Sequence, residues 1–159
     1  MDFQENQIKS NKKTIIHYFY PITVFFLTLT GFGQMPIFKR YYIADIPGLG
    51  WLGKFYVTHY IHYLFAILLL GITVFVITEY FLANRKKIKI TTSGYIRGAV
   101  LFGLVITGIL LVIRNLAGSN FPPGLIIFFD LSHLTLVTVL LIAALYCVIF
   151  KKKWYFRSR

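Results

Sequence analysis

Residues 55–80 read FYVTHYIHYLFAILLLGITVFVITEY and decide the fold of this 159-residue chain. The stretch is long and apolar enough to cross a bilayer, which takes about 20 apolar residues. It nevertheless carries two imidazoles, His59 and His62, near one end. Because side chains three residues apart are separated by about 60° around a helix axis, both rings lie on one face. Imidazoles inside a membrane are costly and therefore favour a functional site with a partner group or a metal.

Three further stretches have the length and composition of a membrane span. The four predicted spans are residues 14–35, 55–80, 95–117 and 125–150. The composition agrees, since 57% of the residues are hydrophobic and only 14% are charged. We therefore predict an all-α membrane protein whose single domain, residues 14–150, is a four-transmembrane-helix bundle. A polar segment, residues 1–13, precedes it and a basic tail, residues 151–159, follows.

The formal net charge of +12 comes from short basic tracts that flank the predicted spans. Thirteen of the seventeen basic residues fall on one side of the predicted bundle: they lie in the N-terminal segment, in the connection between the second and third spans, in the tail and, as Arg97, just inside the third span. Basic residues concentrate on the cytoplasmic side of membrane proteins, which predicts that both termini are cytoplasmic. This topology accounts for the charge, and nucleic-acid binding is not expected.

The single cysteine, Cys147, lies inside the fourth predicted span. One thiol excludes a disulfide framework and the C-x-x-C-H motif of covalent haem attachment. It also excludes an iron-sulfur cluster held by this chain alone, because such clusters need several thiolates. Any haem bound here would be of the b type.

A further imidazole within the membrane, His133 in the fourth span, makes a haem the expected cofactor. His133 lies about five residues to the outer side of the midpoint of the fourth span, and His62 lies about as far from the midpoint of the second. At a rise of 1.5 Å per residue the two are level to within a helical turn, as two axial ligands of one iron must be. His59 is the alternative ligand, and an interhelical hydrogen bond is the alternative role.

Two more residues belong to the predicted site. His17 lies about one turn inside the cytoplasmic end of the first span, where an interfacial role beside tyrosines is equally consistent. Arg114 ends the third span on the outer side, and it either pairs with Asp130 or holds a haem propionate.

The chain resembles the four-helix cytochrome b subunits of respiratory formate dehydrogenases and nickel-iron hydrogenases. The resemblance rests on His17 followed by Thr30-Gly31, and on His62 and His133, each of which opens a long apolar helix. It implies that His62 and His133 ligate an outer haem b, and that His17 is a ligand of an inner haem b. The family has a second inner ligand in the fourth span, but this chain has only residues 143–147, AALYC, in that region.

The resemblance also implies an electron-transfer subunit rather than a catalyst on its own. Its partners would be the iron-sulfur and catalytic subunits of an oxidoreductase complex, menaquinone or ubiquinone, and the lipid bilayer of a prokaryotic cytoplasmic membrane. One haem b is expected and a second stays open, so that His17 is a ligand, a quinone contact or an interfacial residue. A haem-free membrane anchor is the alternative function, ahead of a small transporter, which would need polar groups through the midplane.

Overall fold

The computed structural model describes residues 2–35, 37, 42–84, 88–152 and 155–157, and for residues 2–17, 83–84 and 156–157 it describes the backbone only. Four long helices lie within this part of the chain. They are α1 (Asp2–Gly33), α2 (Phe55–Glu79), α3 (Thr92–Arg114) and α4 (Pro123–Ile149). Two short strands, β1 (Ile88–Ile90) and β2 (Tyr155–Arg157), flank α3 and α4 in the chain.

Among the described residues, three helices are long and apolar enough to cross a membrane: Phe55–Leu82, Thr92–Arg114 and Pro123–Ile149. They match the second, third and fourth predicted spans, so the helical membrane character of the chain is confirmed. The first predicted span corresponds to a shorter apolar segment, Tyr18–Gly33, within α1.

Helix α4 begins at Pro123, two residues before the predicted start of the fourth span, and the starts of two other helices differ by more. Helix α1 begins at Asp2 rather than near residue 14, because the polar residues that precede the apolar segment are mostly good helix formers. Helix α3 begins at Thr92 rather than at residue 95, because the Thr91 hydroxyl accepts a hydrogen bond from the Gly94 N–H at 3.1 Å and so caps the helix earlier.

The chain divides into two units, residues 1–78 and 79–159. In the first unit, α1 and α2 are linked by a connection with two 3-10 turns, Ile43–Asp45 and Gly50–Gly53. Leu52 of the second turn is buried and lies close to Gly33, where a Cβ would be 3.0 Å from Leu52 Cδ2. The connection therefore packs onto the end of α1.

In the second unit, α3 and α4 lie side by side in opposite directions. Their free ends are joined by the antiparallel pairing of β1 with β2, in which Ile88 lies opposite Arg157 and Ile90 lies opposite Tyr155. These segments were predicted only as a basic connection and a basic tail, with no strands. The pairing gives their backbone N–H and C=O groups partners that a loose connection would have to find in water.

Candidate functional site

In the first unit, His62 of α2 is held by Thr30 of α1. The Nδ1 atom of His62 lies 3.0 Å from the Thr30 Oγ1 atom, and Thr30 is completely buried. The same hydroxyl donates to the carbonyl oxygen of Phe26 at 2.6 Å. Because a hydroxyl has one proton and a carbonyl can only accept, both bonds form only when His62 Nδ1 is the donor. This tautomer places the lone pair of the ring on Nε2.

In the second unit, Thr107 of α3 holds His133 of α4 in the same way. The two side chains meet at 2.8 Å between Thr107 Oγ1 and His133 Nδ1. The Thr107 hydroxyl donates its proton to the Gly103 carbonyl at 2.9 Å, so the His133 ring must donate from Nδ1. The lone pair of His133 therefore also lies on Nε2.

A glycine follows each of these threonines and lets the ring approach the helix closely. A Cβ on Gly31 would lie 3.3 Å from His62 Cε1, which is tighter than an ordinary contact. A Cβ on Gly108 would lie 3.6 Å from His133 Cε1. We call each threonine with its glycine a Thr-Gly clamp: Thr30-Gly31 holds His62, and Thr107-Gly108 holds His133.

His59, the alternative ligand, has different surroundings. Its Nδ1 atom lies 3.1 Å from Oε1 of Gln34, which directly follows α1. Its ring packs against the rings of Phe55 and Tyr63, with centroids 5.2 and 4.3 Å away. His59 thus sits in an aromatic stack with an amide partner, whereas His62 shares its clamp geometry with His133.

Arg114 pairs with Asp130 inside the second unit. Its Nη1 atom lies 3.0 and 2.9 Å from the two carboxylate oxygens. The pair is partly accessible, with 27% of the Arg114 side chain and 52% of the Asp130 side chain exposed. Of the two contacts predicted for Arg114, the structure therefore shows the ion pair, which sits one turn before His133. A role of Arg114 in binding a cofactor stays a prediction.

The described part of the structure does not test the prediction for His17. The backbone of His17 lies in α1, but its side chain is outside the described residues, so its role stays a prediction. In the part of the chain whose side chains are described, no three His, Cys, Asp or Glu residues form a metal-binding group.

The chain matches no protein-family model, no curated protein and no solved structure in the three comparisons. Its function is therefore argued from the chemistry of its own side chains. The relevant chemistry is that of His62 and His133, two imidazoles whose Nδ1 atoms have the same kind of partner.

Sequence reasoning missed Arg97, which it counted among the topology-setting residues of a connection. Arg97 instead lies in α3 and is 4% exposed. Its Nη2 atom donates to Ser93 Oγ at 3.4 Å, and that oxygen also contacts Cys147 Sγ at 3.3 Å. The signal was present, since Arg97 already falls within the predicted third span.

Proposed function

We propose that the chain is the b-type cytochrome subunit of a membrane oxidoreductase complex, with His62 and His133 as the axial ligands of one haem b. The observation that supports this most strongly is that both rings have the same hydrogen bond. Each ring donates from Nδ1 to a threonine oxygen. Metal-ligating histidines characteristically donate their other ring N–H to an oxygen acceptor, which fixes the tautomer and orientation. The two imidazoles therefore fit the donor set of a bis-histidine haem.

When bound, the haem supplies a one-electron couple between ferric and ferrous iron. The protein contributes binding, orientation and burial. His62 and His133 bind through Nε2, and their threonines hold the rings in place. Helices α2 and α4 are apolar over most of their length, which keeps water away from the imidazoles. Burial and the hydrogen bonds to the ligands then set the reduction potential.

The proposed topology has four spans with both termini on the cytoplasmic side, and α1 supplies the first span. The distribution of basic residues supports it, since thirteen of seventeen fall on that side. The pairing of β1 with β2 supports it further, because the connection before α3 and the tail after α4 then lie side by side. We place the chain in a prokaryotic cytoplasmic membrane.

The proposed partners are an iron-sulfur subunit and a catalytic subunit, with menaquinone or ubiquinone as the substrate. Most of the described residues lie in four long helices, which leaves little structure outside the membrane for binding a soluble substrate. Electrons must therefore pass between this chain and other subunits. His17, on the proposed cytoplasmic side, is assigned to the quinone end of this path.

The test is a reduced-minus-oxidised spectrum of the purified full chain after incubation with haemin. We expect a b-type spectrum and one haem per chain. His62→Ala and His133→Ala should each abolish tight haem binding, whereas His59→Ala, one turn from His62, is the matched control and should retain it. A wild-type chain that takes up no haem would overturn the proposal and favour a haem-free membrane anchor.

A further inference from the structure

The two units repeat one sequence motif. Residues 25–31 read FFLTLTG and residues 102–108 read FGLVITG, so that Phe, Leu, Thr and Gly recur at identical spacing, with Leu or Ile before the threonine. In each unit this motif lies on the first helix of the pair, and the clamped histidine lies on the second. The Thr-Gly clamp is thus part of a longer repeated segment.

The two units also match in a contact that lies one helical turn away from each clamp. In both units, the residue four positions before the threonine meets the residue three positions after the histidine. In the first unit the rings of Phe26 and Phe65 stack with centroids 4.6 Å apart. In the second unit Leu136 packs against Gly103, where a Cβ would lie 3.2 Å from Leu136 Cδ1. The two phenylalanines of the first unit thus occupy the same positions as the smaller glycine and leucine of the second unit.

On the other side of each clamp, the residue three positions before the histidine contacts a polar residue at or just beyond the end of the first helix, and this residue lies four positions after Thr30 in the first unit but seven positions after Thr107 in the second. His59 contacts Gln34 in the first unit, and Asp130 contacts Arg114 in the second. Two successive levels of contact therefore match in position, and at the third level only the residue before the histidine corresponds. Each unit is a pair of helices in which a threonine of the first helix contacts one histidine of the second.

We propose that Thr30 and Thr107 are equivalent positioning residues, each of which fixes the tautomer and the rotation of one axial imidazole. This inference rests on the proposed function, because it concerns the ligands of the same iron. Each hydroxyl is itself anchored, since it donates to a carbonyl of its own helix at 2.6 Å for Thr30 and 2.9 Å for Thr107. An oxygen anchored in this way holds its two lone pairs in fixed directions, and the imidazole turns its Nδ1–H toward one of them.

The hydrogen bond also has an electronic effect with a definite sign. An Nδ1–H that donates to an oxygen raises the electron density and the basicity of the ring at Nε2. A more basic ligand favours ferric over ferrous iron and so lowers the reduction potential. Removing the acceptor oxygen must therefore shift the reduction potential to more positive values. A threonine that served only to pack the helices would produce no such shift.

The experiment compares Thr30→Val and Thr107→Val in the full-length, haem-loaded chain. Valine keeps the shape of threonine and removes the hydroxyl. Three properties are measured: haem per chain, the midpoint potential, and the electron paramagnetic resonance spectrum of the ferric form, which reports the orientation of the axial rings. We expect both variants to shift the midpoint to more positive values and to change the resonance spectrum. Thr30→Ser and Thr107→Ser, which keep the hydroxyl, should restore wild-type values.

The chain offers matched controls. Thr28 on α1 donates to the Val24 carbonyl at 2.8 Å, and Thr138 on α4 donates to the Leu134 carbonyl at 2.9 Å. Thr28→Val and Thr138→Val remove a hydroxyl with the same backbone bond from helices that contribute to the clamps. Both should leave the midpoint and the resonance spectrum unchanged.

The outcomes separate the two proposals. A wild-type chain without haem would overturn both. A wild-type chain with haem, together with valine variants that keep its midpoint and resonance spectrum, would overturn the positioning role and leave the cytochrome standing. If the valine variants lose haem, the serine variants decide: recovery of the wild-type midpoint supports the role, and continued loss overturns it.

Discussion

The Nδ1 atom of His133 lies 2.8 Å from the Thr107 hydroxyl oxygen, and the same relationship joins His62 to Thr30 at 3.0 Å. In a membrane helix a threonine hydroxyl can satisfy itself by bonding back to the carbonyl four residues earlier. Both threonines do so and still accept a second bond from a neighbouring helix. A hydroxyl that already donates can only accept from an imidazole, which makes each clamp selective for one ring tautomer.

The glycines of the two clamps predict how an added methyl group at each position affects the neighbouring histidine ring. A Cβ on Gly31 would lie 3.3 Å from the His62 ring, whereas a Cβ on Gly108 would lie 3.6 Å from the His133 ring, an ordinary contact. Gly31→Ala should therefore displace its ring and weaken haem binding roughly tenfold, as expected when overpacking costs about 1.4 kcal/mol. Gly108→Ala should bind haem nearly as well as the wild type. Haem titration of the purified variants measures this difference.

Gly71 of α2 provides the control for the glycine prediction, because a Cβ there meets nothing within 4 Å. Gly71→Ala should leave haem affinity unchanged. Equal weakening in all three alanine variants would mean that the effect comes from the helices and not from the rings.

The ion pair of Arg114 with Asp130 gives a prediction about charge. Arg114→Leu leaves a negative charge one turn from His133, which should lower the reduction potential, and Asp130→Leu should raise it. Shifts on the order of tens of millivolts are expected, because the pair is partly exposed and solvent screens it. The double variant should return close to the wild-type midpoint, since the two charges compensate each other. Potentiometric titration measures the midpoint potential of the wild type and the three variants. If neither single variant shifts the midpoint, the ion pair lies far from the iron.

The helices were predictable from the sequence to a useful degree, because a span of about 20 apolar residues is the strongest pattern a membrane chain carries. The position of His62 and His133 in such spans was enough to single them out. Other features were not predictable in the same way. The strands β1 and β2 are three residues each and lie in basic tracts, where no alternating pattern can be recognised.

The resemblance had already singled out Thr30-Gly31, but the second clamp, Thr107-Gly108, could have been found only by searching for internal repeats. Thr30 and Thr107 are single hydroxyls in apolar helices, and threonines at such positions commonly bond only to their own backbone. Their separation from the histidines, 32 and 26 residues along the chain, hides the contact. The recurrence of Phe-x-Leu-x-Leu/Ile-Thr-Gly was the available signal. Arg97 was misjudged because a basic residue near a span end was taken to lie in the connection.

The pairing of β1 with β2 gives a prediction about topology. Single cysteines are placed at Lys89 in β1, at Lys152 just before β2, and at Asn120 between α3 and α4, in a Cys147→Ser background. A membrane-impermeant thiol reagent added to intact cells should label the cysteine at position 120 only. The cysteines at positions 89 and 152 should react only after the membrane is opened. Labelling of either of these two from outside would contradict the proposed topology, and labelling of one without the other would also contradict the pairing of β1 with β2.

The number of haems per chain gives the last prediction, and it turns on His17. Each unit presents one imidazole clamped by a threonine among the described residues, and the fourth span has AALYC where the resemblance implies a second inner ligand. We therefore expect one haem per chain, with His17 as the quinone contact on the cytoplasmic side. Imidazole titrates near neutral pH and can supply the proton that quinone reduction requires. His17→Ala should keep the full haem content and the wild-type spectrum, while quinone-linked electron transfer in the assembled complex falls at least tenfold. Loss of half of the haem on this substitution would instead make His17 a ligand, and unchanged turnover would make it an interfacial residue.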